Sequence, residues 1–99
     1  MAWSTAGAAM RRLRRSEEAA AVLERARALI RTTSDLEQEA RINLPLGHAL
    51  RSLRRDRQAA VAFREAVALF ERTGRKEELG EAATDLTRLT EQMASRPTG

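Results

Sequence analysis

The sequence predicts an all-α fold, and three observations support this prediction. Apolar residues recur at spacings of three and four along the 99-residue chain, which is the period of an amphipathic helix rather than of a strand. The composition is 42% hydrophobic but only 3% aromatic, a balance rich in alanine and leucine that favours helices. The breaks between apolar runs fall at polar or glycine-bearing stretches, where turns are expected.

Five helices are expected, and the first two occupy the first third of the chain. The first covers about residues 2 to 14. Its apolar stripe consists of Trp3, Ala6, Met10 and Leu13. Ser16 fits the N-cap of the second helix, because Glu17 and Glu18 follow it in the first turn, where the helix dipole favours acidic side chains. The second helix then reaches about Arg31.

The third helix contains a proline, which leaves two interpretations open. Ser34 or Asp35 caps this helix, which reaches about Leu53. Pro45 removes one backbone donor and clashes with the preceding turn. The helix is therefore expected either to kink at Pro45 or to start late, with Asn43 as its N-cap and Pro45 in its first turn.

The last two helices complete a single predicted domain over residues 1–94. Asp56 is expected to cap the fourth helix, and Gly74 to end it in the left-handed conformation that glycine adopts easily. The fifth helix runs from about residue 76 to residue 94. The tail, residues 95–99, is expected to be disordered.

An internal repeat is the most informative feature of the chain. When residues 9–34 are aligned with residues 49–74 without a gap, 11 of the 26 positions are identical. Chance alone gives roughly three identities in this composition, so the match indicates a repeat. A period of this length is typical of one helical hairpin followed by another.

The repeated positions resemble the tetratricopeptide repeat. In the second unit the matching residues are Leu46, Gly47, Leu50, Ala59, Phe63 and Ala66. In the first unit they are Trp3, Ala6, Gly7, Met10, Ala19, Leu23 and Ala26. The small residues let two helices approach closely, while Phe63 or Leu23 fills the gap at their crossing.

This resemblance implies a short right-handed superhelix of stacked antiparallel hairpins. Unit one spans residues 1–34 and unit two spans residues 35–74, while residues 75–94 supply a half-unit or capping helix. The phrase from Ala49 to Gly74 looks like the tetratricopeptide-like regions of large ATP-binding bacterial regulators of the LuxR type. The chain is accordingly expected to be a protein-interaction module of a bacterial transcription regulator.

The residue inventory argues against catalysis and against bound metals or cofactors. The chain has no cysteine, and His48 is its one histidine, with no neighbouring carboxylates at metal-ligand spacing. Serines and threonines occur without a histidine base, so neither a nucleophile nor a general acid and base pair is expected. No apolar run is long enough to span a bilayer and no secretory signal fits, which predicts a cytoplasmic protein.

In tetratricopeptide superhelices the first helix of each unit lines a concave groove. Carried over to this chain, the resemblance assigns the groove to Arg11, Arg12, Arg41, Leu44, His48 and Arg51. Such a groove is basic with an apolar floor. The expected partner is a protein or peptide segment that is acidic or amphipathic.

The sequence leaves open an interpretation without a ligand, in which the groove face simply packs against the fifth helix or a second copy of the chain. Two other functions are alternatives to peptide binding. The first is self-association of the fifth helix into a homodimer. The residues proposed for that contact are Leu79, Leu86, Leu89 and Met93. The second is nucleic-acid binding by the arginine clusters at 11–15 and 51–57, which contribute to a net charge of +4. It is the weaker alternative, because the groove lacks aromatic stacking partners and acidic residues dilute the charge.

Overall fold

The computed structural model describes residues 2–95, with side chains from Gly7 onward, and it confirms the all-helical prediction. The described residues form four helices and no strand: α1 (Ala2–Arg31), α2 (Leu36–Ser52), α3 (Asp56–Thr73) and α4 (Lys76–Ser95). The side chains of Trp3 and Ala6 in the predicted stripe, and residues 96–99 of the predicted tail, lie outside the described part.

The expected turn between the first two helices is absent. Residues 2–31 form one continuous helix, so the described chain has four helices where five were predicted. Ser16 therefore lies inside α1 and is not an N-cap. The physical reason is local: the junction contains no glycine or proline, and Arg14, Arg15 and Glu17 are good helix formers that let the hydrogen-bond ladder continue.

Each of the three turns between helices contains one residue in the left-handed conformation. Ser34 and Arg54 have φ near 60°, and Gly74 has φ near 72°. The predicted role of Gly74, a left-handed glycine that ends the helix, is thus confirmed. After α2 and α3 the chain closes the same bond: the Arg55 N–H donates to the Leu50 carbonyl at 2.9 Å, and the Arg75 N–H donates to the Phe70 carbonyl at 3.0 Å.

The start of α2 decides against one of the two interpretations of the third predicted helix. Asp35 is the N-cap, since its side-chain oxygen accepts a hydrogen bond from the Gln38 backbone N–H at 3.1 Å. The helix begins at Leu36 and continues through Pro45 to Ser52. The late start is therefore wrong. Pro45 is exposed on the helix surface.

The start of α3 differs from the prediction by one residue. Arg55 occupies the N-cap and makes no side-chain capping bond, whereas Asp56 is the first helical residue and is buried. The left-handed Arg54 sets this register, because it turns the chain one residue before Arg55. Asp56 nevertheless stands at the positive end of the α3 dipole, where a carboxylate is favoured.

The core consists of alanine surfaces on neighbouring helices, with two phenylalanines between them. Phe63 belongs to one buried cluster, with residues of α1, α2 and α4, and Phe70 to a second, with residues of α2 and α4. Gly47 of α2 lies directly against the Phe63 ring: a Cβ on Gly47 would stand 2.5 Å from the nearest ring carbon. This close approach confirms the predicted roles of Gly47 and Phe63 at the helix crossing.

The helices form two layers. Chain neighbours pack against each other, and side-chain contacts link alternate helices. Arg41 of α2 reaches Glu78 of α4, and His48 of α2 reaches Asp85 of α4. Because both pairs advance by seven residues in the same sense, α2 and α4 run parallel in one layer. Contacts to Glu65 of α3 place α1 and α3 in the other layer. None of the described helices has the length and apolarity that crossing a membrane requires.

Candidate functional site: the groove between α2 and α4

The structure brings four of the six predicted groove residues onto one face of α2. Arg41, Leu44, His48 and Arg51 follow each other at spacings of three and four, so they share one side of the helix. An open cleft runs beside this face. Its walls are Leu44 and His48 from α2, and Gly80, Glu81, Thr84, Asp85 and Arg88 from α4. We refer to this cleft and its continuation past Arg51 as the α2/α4 groove.

At the first end of the groove, the arginines are already paired. Arg41 Nη2 lies 2.9 Å from Glu37 Oε1, and its Nε lies 3.6 Å from Glu78 Oε2. Arg75, the residue before α4, contacts the same Glu37 carboxylate. The carboxylates of Glu37 and Glu78 neutralise Arg41 and Arg75, and these ion pairs link α2 to the start of α4. The two arginines at this end of the groove therefore pair with carboxylates of the same chain.

In the middle of the groove, His48 connects the surface to the core. Its Nε2 lies 3.0 Å from Asp85 Oδ2, which forms an ion pair when the imidazole is protonated. The imidazole also meets the Phe63 ring edge to face, with centroids 5.2 Å apart and an interplanar angle of 76°. Phe63 in turn lies against Gly47. The groove wall is thus held by the same crossing that holds the two helices together.

At the second end, the groove opens into a wider and more basic concavity. Its lining consists of Arg51, Ser52, Arg54, Asp56, Arg88, Glu91, Gln92 and Ser95. None of the ion pairs between described side chains involves Arg51, Arg54 or Arg88. Three arginines, from α2, from the turn after it and from α4, therefore line this concavity, together with the carboxylates of Asp56 and Glu91.

The other two predicted groove residues, Arg11 and Arg12, lie elsewhere. Both are exposed on the N-terminal half of α1, in a stretch in which every residue from Ala8 to Arg15 is exposed. The continuous α1 explains this position, because the predicted turn would have folded this segment back beside α2. The described chain therefore does not bring them to the α2/α4 groove.

The predicted self-association residues of α4 face inward in the structure. Leu89 is fully buried in the Phe63 cluster, and Leu86 and Met93 pack against the same cluster. Leu79 packs against the Phe70 cluster. These four residues were expected on an exposed face. They instead form the stripe that attaches α4 to α2 and α3, because the two core clusters extend from these helices onto α4.

The acidic wall of the groove was missed by the sequence reasoning. Glu78 and Asp85 on α4 face Arg41 and His48 on α2, so the groove is bipolar over its first half. A signal was present: the two acidic residues are seven apart, as are the two basic ones. Matching heptad spacings of opposite charge on two parallel helices would have indicated the pairing.

A second set of contacts fixes the layer of α1 and α3. Arg31 lies 3.1 Å from Glu39 and 2.7 Å from Glu65, and Arg27 donates to the amide oxygen of the buried Asn43 at 3.3 Å. The hydrogen bond to Glu39 and the charge of Glu65 raise the pKa of Arg31 above its ordinary value, against a smaller opposing effect of burial. Arg31 therefore keeps its charge throughout the neutral and mildly alkaline range.

Among the described residues, no group of three or more histidine, aspartate or glutamate side chains could hold a metal ion. Comparisons of the sequence with protein-family models and curated proteins, and of the chain with solved structures, found no significant match.

Proposed function

We propose that this chain is a non-enzymatic protein-interaction module that binds a partner segment along the α2/α4 groove. The observation that carries the proposal is that Arg51, Arg54 and Arg88 line the second end of the groove and make no ion pair with a described side chain. Guanidinium groups bind carboxylates through paired, charge-assisted hydrogen bonds. Three of them at the mouth of a groove are suited to an acidic anchor.

The rest of the groove supports an elongated ligand. Leu44 supplies an apolar floor, and Gly80 leaves the α4 wall low at the same level. Because Arg41 and His48 are matched by Glu78 and Asp85, the first half of the groove presents mixed polarity rather than a net positive field. We therefore expect the partner to be an amphipathic helix, apolar along Leu44 and carrying its carboxylates at the Arg51 end.

The packing of the helices supports a tetratricopeptide-like arrangement as part of this proposal. In it, α2 and α3 form one repeat unit and α4 begins the next, so that α2 and α4 line the concave side. The close approach of Gly47 to Phe63, the parallel course of α2 and α4 and the resemblance of residues 49–74 to bacterial regulator repeats support it. The module would then serve as a scaffold segment of such a regulator.

Fluorescence anisotropy tests the proposal with a defined probe. The probe is a labelled amphipathic peptide with leucines at helical spacing and a cluster of glutamates at one end. We expect it to bind the unmodified chain, and its lysine-substituted counterpart to bind far more weakly. Replacing both Arg51 and Arg88 with Glu is expected to weaken binding by about a hundredfold or more, since each lost charge-assisted contact costs about 1.5–3 kcal/mol.

A matched double variant separates site binding from overall charge. Arg25→Glu with Arg64→Glu changes the net charge equally, and both residues are exposed on the opposite layer without ion pairs to described side chains. This control should bind the acidic probe with nearly unchanged affinity. Equal losses in the two double variants, or equal binding of the acidic and the lysine-substituted probes, would show that the groove is not the site.

A further inference from the structure

The N-terminal half of α1, residues 2–15, is a basic helical segment that stands apart from the core. Every residue from Ala8 to Arg15 is exposed, and among the described side chains of α1 the first buried one is that of Ala20. The segment contains four arginines and no aspartate or glutamate. The arginines are Arg11, Arg12, Arg14 and Arg15. None of them makes an ion pair with a described side chain, so their charge is open to an external anion.

The same segment has a separate apolar side. Met10 and Leu13 are 67% and 46% exposed. At about 100° of rotation per residue, Ala9, Met10 and Leu13 fall within an arc of about 100° around the helix axis, whereas the four arginines occupy another arc of about 160°. The two arcs do not overlap. Residues 2–15 therefore form a basic amphipathic helix with a different chemistry on each side.

The C-terminal half of α1 differs from this segment in charge and in direction. Val22 and Leu29 are its exposed large apolar residues, 63% and 69% exposed. Carboxylates lie in the same half, among them Glu17 and Glu24. Val22 also stands about 180° around the helix from Leu13. A flat surface that covers Leu13 therefore leaves Val22 in solvent, and the two apolar patches can be tested separately.

We infer that residues 2–15 of α1 dock on an anionic lipid surface, with their apolar side at the boundary between headgroups and acyl chains. A helix that is basic on one side and apolar on the other lies in the plane of this interface. Lipid phosphates pair with the guanidinium groups, whose long side chains reach the headgroups while their stems cover apolar surface. Each arginine held near an anionic surface strengthens binding by roughly fivefold.

The apolar side favours a lipid surface over other polyanions. A nucleic-acid backbone pairs with arginines through its phosphates, but it gives Met10 and Leu13 no apolar surface to contact. A lipid interface offers phosphates and acyl chains together, and so matches both sides of the helix. Because the helix lies along the surface, this docking does not require a helix able to cross the bilayer.

Co-sedimentation with lipid vesicles tests the inference on the full chain. The probes are vesicles of phosphatidylglycerol mixed with phosphatidylcholine, and vesicles of phosphatidylcholine alone. We expect binding to the anionic vesicles only, and we expect it to weaken as salt screens the charges. The fluorescence of Trp3, the one tryptophan of the chain, should shift to shorter wavelength on binding, since Trp3 belongs to the same segment.

A matched pair of charge variants separates the segment from the overall charge of the chain. Arg11→Glu with Arg15→Glu should weaken binding to the anionic vesicles by about a hundredfold, because two attractive charges are lost and two repulsive ones are gained. Arg25→Glu with Arg64→Glu changes the net charge equally at exposed positions outside the segment. This control should weaken vesicle binding far less.

A second matched pair tests the apolar side. Met10→Gln with Leu13→Gln should weaken vesicle binding by about tenfold or more, since both side chains lose apolar contact with the acyl boundary. Val22→Gln with Leu29→Gln removes a similarly exposed apolar pair from the other half of α1 and should leave vesicle binding unchanged. All four changed positions are exposed, so far-UV circular dichroism of both variants should stay fully helical.

Three results would overturn the inference. The first is equal binding to the anionic and the phosphatidylcholine vesicles, or no binding to either. The second is an equal loss of vesicle binding in the two members of either matched pair. The third is binding of a duplex DNA oligonucleotide without binding of the anionic vesicles, which would make the segment a nucleic-acid contact instead.

Discussion

Substitution of Gly47 by alanine tests the packing on which both the fold and the groove depend. The new Cβ would lie 2.5, 2.7 and 2.9 Å from three carbons of the Phe63 ring, all inside contact distance. Phe63 is fully buried and also meets the His48 imidazole edge to face, so the ring cannot move away cheaply. Overpacking a core of this kind costs about 1–3 kcal/mol, and the three close contacts favour the upper end.

The helical preference of alanine offsets part of this cost. Alanine gains about 1 kcal/mol over glycine in a helix interior, so the net destabilisation of Gly47→Ala should be about 2 kcal/mol. Urea unfolding followed by circular dichroism measures this difference as a lower midpoint at an unchanged slope. The matched control is Gly80→Ala, which meets nothing within 4 Å and should be more stable than the unmodified chain by about 1 kcal/mol.

A rescue variant makes the test specific to the ring. Shortening Phe63 to leucine removes Cε1 and Cζ, two of the three ring atoms that the new methyl group meets. Phe63→Leu should therefore cost less in the Gly47→Ala background than in the unmodified chain, giving a favourable coupling energy in the double-mutant cycle. If Gly47→Ala is as stable as Gly80→Ala, or if the two substitutions are additive, then the close helix crossing described above is wrong.

Three further predictions concern the turns and the layer contacts. Arg54→Gly should stabilise the chain by about 1 kcal/mol in urea unfolding, because φ near 60° is strained for arginine but not for glycine; a loss of stability would contradict this. Asp35→Ala should cost about 1 kcal/mol by removing the α2 cap, whereas Asp35→Asn should keep most of that stability. Glu65→Gln should cost less than about 1 kcal/mol, with the loss shrinking in concentrated salt, because the carboxylate pairs with the exposed Arg31. Since the pKa of Arg31 is raised, the contribution of that cation is present below the ordinary arginine pKa and is lost only at strongly alkaline pH, so the Glu65→Gln difference should stay constant between neutral and mildly alkaline pH.

Local structure was predicted most accurately at positions where the backbone or the packing favours one type of residue. Gly74 is the clearest case, because a left-handed residue is needed at the end of α3 and glycine adopts that conformation easily. Asp35 follows the same logic at the start of α2. The pairing of Gly47 with Phe63 was predictable because the repeat pattern specifies a small residue opposite a large one.

The sequence misleads where tertiary contacts decide between two conformations of the same segment. The tripeptide Leu-Arg-Arg occurs at residues 13–15 and at residues 53–55. It is helical in α1, whereas the second copy turns, with Arg54 in the left-handed conformation. Neither copy contains a glycine or proline, so local propensity favours helix in both. The turn after α2 forms because the packing of α2 against Phe63 of α3 offsets the backbone strain at Arg54.

For the groove, sequence reasoning placed the residues of α2 correctly on one face but missed their partners on α4. A helical pattern shows which residues share a face, and the spacing of Arg41, His48 and Arg51 is sufficient for that. It does not show which neighbouring helix lies opposite. Only the packed arrangement of α2 and α4 reveals that Glu78 and Asp85 neutralise half of the groove and that Arg88 joins the basic end.

Amide chemical-shift mapping shows directly whether a partner segment binds in the groove between α2 and α4. The ¹⁵N-labelled chain is titrated with the acidic amphipathic probe peptide. We expect the largest shifts at residues on the two groove walls, among them Leu44, His48, Thr84 and Arg88, and no change at the exposed residues of α3. Shifts concentrated on α1 and α3, or no shifts at saturating probe, would contradict it.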